Sequence, residues 1–306
     1  RRNLPETAPF LFESGEAVTM AVLKQYQSDV EAILGKRYDN GGDHWTTPDK
    51  RLSKGSPFTT LDCAYMLLEL GMDPSEPILR ETADLILSTW REDGRFKLSP
   101  QGAIYPCHTV NAARALCYLG YASDHRLRKT FDHLLKIQHG DGGWRCNKFS
   151  FGKGPETEFS NPGPTLGALD AFRFTPFRNK NESLDRAVEF LLAHWTTRRP
   201  LGPCHYGIGT LFMQVAYPFA NYNLFFYVYV LSFYDRAMKD RGFLEALRVL
   251  ESKLMNGRIV VERPNPKLAG FTFCKKGEPS DLGTERYHEI LKNLGRINIV
   301  SDLENM

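Results

Sequence analysis

Two kinds of apolar pattern alternate along the chain. In the first, apolar residues recur three and four positions apart with polar residues between them. Leu23, Tyr26, Val30, Ile33 and Leu34 do so, as do Ile78, Thr82, Leu85, Ile86 and Trp90, and then Leu127, Phe131, Leu134 and Leu135. Leu184, Ala187, Val188, Leu191 and Trp195 repeat the spacing, and Phe243, Leu247, Leu250 and Leu254 close the series. Such spacing predicts five helices with one wet face, and Asp73-Pro74-Ser75 and Ser123-Asp124 supply caps for two of them. The second pattern is apolar nearly all round and falls at 59–71, 106–121, 164–174, 221–234 and 284–295. A helix of that composition is one that other helices surround.

The second kind of segment repeats itself. Thr60 to Gly71 aligns without a gap on Thr109 to Gly120, a third copy starts at Thr165, a fourth runs from Thr284 to Gly295, and a looser one spans Asn221 to Ser232. A period of roughly 50 to 60 residues marks a stacked-repeat architecture, because one repeat cannot bury its apolar face alone. One-faced helices alternating with enclosed ones predict two concentric rings, so the expected fold is all-α, an α/α toroid of about five inner/outer helix pairs forming a single domain over 1–306. Linkers from outer to inner helices share a Gly-aromatic signature: Gly41-Gly42 with Trp45, Asp93-Gly-Arg-Phe96, Asp141-Gly-Gly-Trp144 and Asn256-Gly-Arg-Ile259.

Composition narrows the partners. The chain has 306 residues, 42% of them apolar and 12% aromatic, enough for a large core. Its 39 basic and 36 acidic residues are mixed without long runs and leave a formal charge of +3, which speaks against nucleic acid as a partner. No stretch is long enough to span a bilayer, and the first residues lack an apolar signal core, so a soluble, cytoplasmic protein is expected. Six cysteines in a chain of this size, several beside histidine, suggest retained thiols or a metal rather than a disulfide framework.

Polar residues recur at fixed register in the apolar segments. Two positions past the shared Thr stand Asp62, Asn111, Gly167 and Arg286; five past it stand Tyr65, Arg114, Asp170 and Glu289. If the inner helices run in one sense, their N-termini gather at one end and favour an anion such as a diphosphate or carboxylate. Asp170 and Asp62 are the candidate acid or base residues, and Arg114, Asn111 and Tyr65 the candidate substrate contacts. Arg114 and Asp170 could equally be a pair that ties two helices together. Ten aromatic residues between Phe212 and Tyr234, Phe226 among them, could line a lumen for a long apolar chain or fill a core.

The tripeptide Pro-Cys-His occurs twice, at 106–108 and 203–205. Thiolate and imidazole together suit zinc, and Cys107, His108, Cys146, Cys204 and His205 fall on linkers that a toroid brings to one rim. Capping or buried polar residues without metal, or a nucleophilic thiol, are the alternatives. Cys63 and Cys117 read as packing residues. No nucleotide cofactor is expected.

Gln138-His-Gly-Asp-Gly-Gly-Trp144 resembles the Gln-x-x-Asp-Gly-Gly-Trp signature of squalene cyclases and protein prenyltransferase β-subunits. That resemblance, which extends as a repeat pattern over about residues 55 to 297, implies an α/α toroid and an isoprenoid diphosphate or other apolar small molecule as ligand, and leaves open a second subunit as in the prenyltransferases. The prenyltransferases' Asp-x-Cys zinc motif is lacking, since Asp62 and Cys63 are adjacent, and so are the Asp-x-Asp-Asp cluster of squalene-type cyclases and the Asp-Asp-x-x-Asp run of metal-dependent terpene synthases. Cys204-His-Tyr-Gly207 is similar to the zinc site of lanthionine synthetase cyclases. Three functions follow as expectations: a zinc-dependent prenyl-type transferase, a noncatalytic binding toroid, and a zinc enzyme acting on peptides.

Overall fold

The computed structural model describes residues 24–297; Leu23 of the first outer-helix pattern and the chain's first residues lie outside them. The described chain is mostly helical, with eleven α-helices and a single two-stranded pairing of two residues per strand. No helix among the described residues is long and apolar enough to cross a membrane. The fold resolves into two compact units that divide after Gln138.

The first unit contains α1 (Gln27–Gly35), α2 (Thr60–Glu69), α3 (Pro77–Ser88), α4 (Pro106–Tyr118) and α5 (His125–Lys136). Helices α2 and α4 pack on each other, with α1 and α3 against α2 and with α3 and α5 against α4. Burial follows the two sequence patterns. In α4 every residue from His108 to Tyr118 except Asn111 is buried, whereas in α5 Leu127, Thr130, Phe131 and Leu134 make one buried stripe. Asp124 caps α5 by accepting the Arg126 N–H. Asp73, by contrast, accepts the Ser75 N–H in a turn, and α3 begins only at Pro77, whose ring presets the first helical φ.

The second unit contains α6 (Pro162–Phe172), α7 (Glu182–Thr197), β1 (Ala216–Tyr217), α8 (Leu224–Leu231), the single turn α9 (Asp235–Met238), α10 (Arg241–Glu251), β2 (Arg263–Pro264) and α11 (Asp281–Asn293). The enclosed helices again sit side by side, α6 on α8 and α8 on α11, while α7 covers α6 and meets α8 through Tyr227, and α10 covers α7 and α8. Every residue of α8 is buried. The segment 257–283, which no helical or alternating pattern explains, is a folded part of this unit. Its strand β2 pairs in parallel with β1, Val260 bridges Pro279, and Val261, Leu268 and Phe273 are buried. Glu262 staples it by accepting the Val215 N–H at 2.7 Å and meeting Lys253 at 2.8 Å.

The repeated Thr and the Gly-aromatic linker explain each other. Thr109 Oγ1 accepts the Phe96 N–H at 3.2 Å, Thr165 Oγ1 the Trp144 N–H at 3.0 Å, and Thr284 Oγ1 the Ile259 N–H at 3.1 Å. Thr165 and Thr284 also donate back to the cap carbonyls of Asn161 and Ser280. A threonine is suited to this post because one buried hydroxyl donates and accepts at once. The glycine ahead of the aromatic residue rests on the next outer helix. A Cβ on Gly94 would come within 2.7 Å of the Lys129 carbonyl oxygen, and one on Gly142 within 2.5 Å of that of Arg186. In the first repeat the linkage differs: Thr60 donates to the His44 carbonyl, and the buried Trp45 indole donates to that of Ile33.

Candidate functional site

In the first unit, Cys107, Asn111, Arg114 and Tyr118 lie four, three and four residues apart and so share one face of α4. Along that face Cys107 is half-buried and Asn111 exposed, whereas Arg114 and Tyr118 are 8% and 3% exposed. On α2 the half-buried Asp62 precedes the buried Tyr65 by three residues. The two faces meet where Arg114 Nε donates to Tyr65 Oη at 2.6 Å, the guanidinium lying 5.0 Å from the Tyr65 ring centre, and the Tyr118 ring meets Tyr65 edge-on at 4.9 Å. One turn along α4 from the exposed Asn111, Arg114 is thereby buried with its guanidinium against the Tyr65 ring. Asp62 serves the helix. Thr59 Oγ1 accepts the Asp62 N–H at 3.1 Å, and burial raises the Asp62 carboxyl while hydrogen bonds from Thr59 oppose that shift, the pattern of a reciprocal cap.

In the second unit, Asp170 is fully buried and meets Arg173 Nε at 2.8 Å. The same guanidinium reaches Tyr229 Oη at 3.3 Å, and that hydroxyl donates to Glu289 Oε2 at 2.7 Å. Arg286 lies over the Phe219 and Tyr229 rings at 5.5 and 5.3 Å. The register positions held by Asp170, Arg286 and Glu289 are thus joined through Tyr229. Phe226 is buried, its N–H held by the cap residue Asn223. The neighbouring tyrosines satisfy their hydroxyls on helix carbonyls, Tyr227 on Leu191 and Tyr234 on Leu169, which identifies most of this aromatic run as core.

One group here escaped the sequence reading. Burial, reinforced by Asp281, pushes the Glu285 carboxyl up to about 7 despite the opposing charge of Arg286. The folded protein therefore keeps a proton that the unfolded chain has released, and stability contributed at low pH is lost as pH rises from 4.5 toward about 7. Glu285→Gln is expected to be more stable than the wild type at pH 8 and to lose that advantage by pH 5. Urea melts at the two values check it, and an equal advantage at both would contradict the assignment.

The linker between α5 and α6 meets the linker between α7 and α8 within the second unit. Phe151 N–H donates to the Pro203 carbonyl at 2.9 Å and Gly202 N–H to that of Glu156 at 2.9 Å. This contact brings Cys204 to Cys146, with Cys204 Sγ 3.3 Å from the Cys146 carbonyl oxygen. His205, in left-handed backbone, turns toward Glu156 at 3.9 Å. Asp141 anchors the same loops by accepting from Ser160 N, Ser160 Oγ and Gly143 N. Burial works against its ionisation, but these hydrogen bonds prevail and hold the carboxyl below its ordinary range. Beside the loops runs a groove of about 860 Å³ with Phe159, Phe190 and Leu201 as apolar walls and Arg186, Glu189 and His205 as polar margins. His194 in its wall donates from Nε2 to the Arg199 carbonyl and accepts at Nδ1 from Tyr222, and burial lowers it to about 4, so it is neutral.

The first Pro-Cys-His is built differently from the second. Pro106, Cys107 and His108 form the first turn of α4, with His108 buried against the Tyr105 ring. Cys63, Cys117 and Cys274 are buried, and each of the six cysteines is in the thiol form. Among the described residues no three His, Cys, Asp or Glu side chains converge as a metal-holding group. No family model matches the chain, and no curated protein matches it.

Proposed function

We propose that this chain is an isoprenoid-handling α/α toroid that holds an apolar molecule with an anionic head. The observation that carries the reading is in the first unit, where the buried Arg114 donates to Tyr65 and lies against its ring, one turn along α4 from the exposed Asn111. A guanidinium held against an aromatic ring, one turn from an exposed polar position, suits a phosphate or carboxylate head with an unsaturated chain behind it. Holding rather than transforming is favoured by the two candidate acids. Asp62 works as a helix cap, and Asp170 is engaged by Arg173. The test is calorimetric titration with an isoprenoid diphosphate. Arg114→Met is expected to weaken binding at least tenfold, the scale of one lost charge-assisted contact. Equal affinity in wild type and variant, or co-purification of short polar compounds only, would remove the reading.

The zinc-dependent transferase is the second reading, favoured by the meeting of Cys146 and Cys204 with His205 next in sequence. Metal content separates the two. Stoichiometric zinc that disappears in a Cys204→Ala, His205→Ala variant would establish a rim metal and displace the holding function.

A further inference from the structure

We infer that Cys146 and Cys204 form a reversible intramolecular disulfide that locks the α5–α6 linker to the α7–α8 linker. The Cys204 thiol lies 3.3 Å from the Cys146 carbonyl oxygen and 3.7 Å from that of Phe149, and the Cys146 side chain is among the groups acting on it. The backbones on either side are already laced by the Phe151–Pro203 and Gly202–Glu156 hydrogen bonds. Asn161 Oδ1 holds the Cys146 N–H at 2.6 Å. The order that a disulfide imposes is thus largely present before it closes, which lowers its cost.

The two thiols differ in access in a way that assigns their roles. Cys204 is half-buried, whereas Cys146 is 1% exposed. A low-molecular-weight disulfide such as oxidised glutathione can reach only Cys204. The Cys204 thiolate attacks it, forming a mixed disulfide and releasing one glutathione thiolate. The Cys146 thiolate then attacks the Cys204 sulfur and expels the second glutathione. Two protein thiols lose two protons and two electrons, and one oxidised glutathione becomes two thiols. Burial raises the Cys204 thiol, so exchange is slow at neutral pH and quickens as pH rises. Closing the bond fixes the groove, because Glu156 and Phe159 on one linker face Leu201 and His205 on the other.

The experiment equilibrates the native chain with oxidised and reduced glutathione at pH 8, followed by alkylation, peptide mapping and a thermal melt. A peptide pair joined through Cys146 and Cys204 is expected, with the buried Cys63, Cys117 and Cys274 alkylated only after denaturation. The oxidised form should melt roughly 5 °C or more above the reduced form, since the closed loop is long. A Cys146→Ala variant should stop at a stable glutathione adduct on Cys204. A persistent adduct on the wild-type Cys204, a bond to Cys107, no reaction at high oxidant, or stoichiometric zinc on the two thiols of purified protein would each overturn the inference. The wild-type map carries the result even where the variant fails to fold.

Discussion

Alanine at position 142 is expected to cost about 3 to 5 kcal/mol of folding stability, more than most single substitutions. Gly142 has φ +94°, where an L side chain is strained, and its added Cβ would stand 2.5 Å from the Arg186 carbonyl oxygen. Relief requires the linker to lift off α7. That movement pulls on the Trp144 N–H, which Thr165 holds, and on the Asp141 carboxylate, which Ser160 and Gly143 hold. Gly140, two residues earlier, has nothing within 4 Å of its Cβ position and no positive φ, so Gly140→Ala is the matched control and should change stability by well under 1 kcal/mol. Urea denaturation of both variants decides the matter. Similar midpoints would mean that the linker does not depend on contact with the outer helix.

Asp170→Ala is expected to cost about 3 to 5 kcal/mol, because it strands a guanidinium that is 5% exposed among the Phe174 and Phe233 rings. The double variant Asp170→Leu, Arg173→Met removes both charges, keeps apolar volume, and should recover most of that loss. Thermal melts of the single and double variants, with isoprenoid binding measured alongside, distinguish a structural pair from a reacting acid. If the single variant folded with wild-type stability and lost only activity, the holding function proposed above would give way to catalysis.

The helical periodicity was legible because it depends on local spacing. All ten helices that the two patterns predict exist in the expected order, with Asp281–Asn293 starting three residues before its Thr and Leu224–Leu231 shorter than its repeat. The one-turn helix Asp235–Met238 was invisible, since four residues carry no period. Residues 257–283 were opaque for a different reason. Their order comes from distant partners, Val215 and Ala216 for Glu262 and Arg263, which a linear pattern does not contain. At the candidate sites, Tyr65 and Arg114 hold the same register position and meet, a contact that the register pairing of Arg114 with Asp170 did not include. The partner of Asp170, Arg173, was readable at i+3 but lay beyond the aligned block. The paired Pro-Cys-His tripeptides show the limit of local likeness: one winds into a helix, and the other turns through a left-handed histidine.

The threonine clasp spans 13, 21 and 25 residues in its three occurrences, yet each time the same hydroxyl grips the same kind of backbone group. Grip is therefore uncoupled from the length of chain held between its jaws. A stretch such as Cys146 to Phe159 becomes an interchangeable cassette, free to gain or shed residues and to acquire new chemistry while the surrounding helices keep their seats.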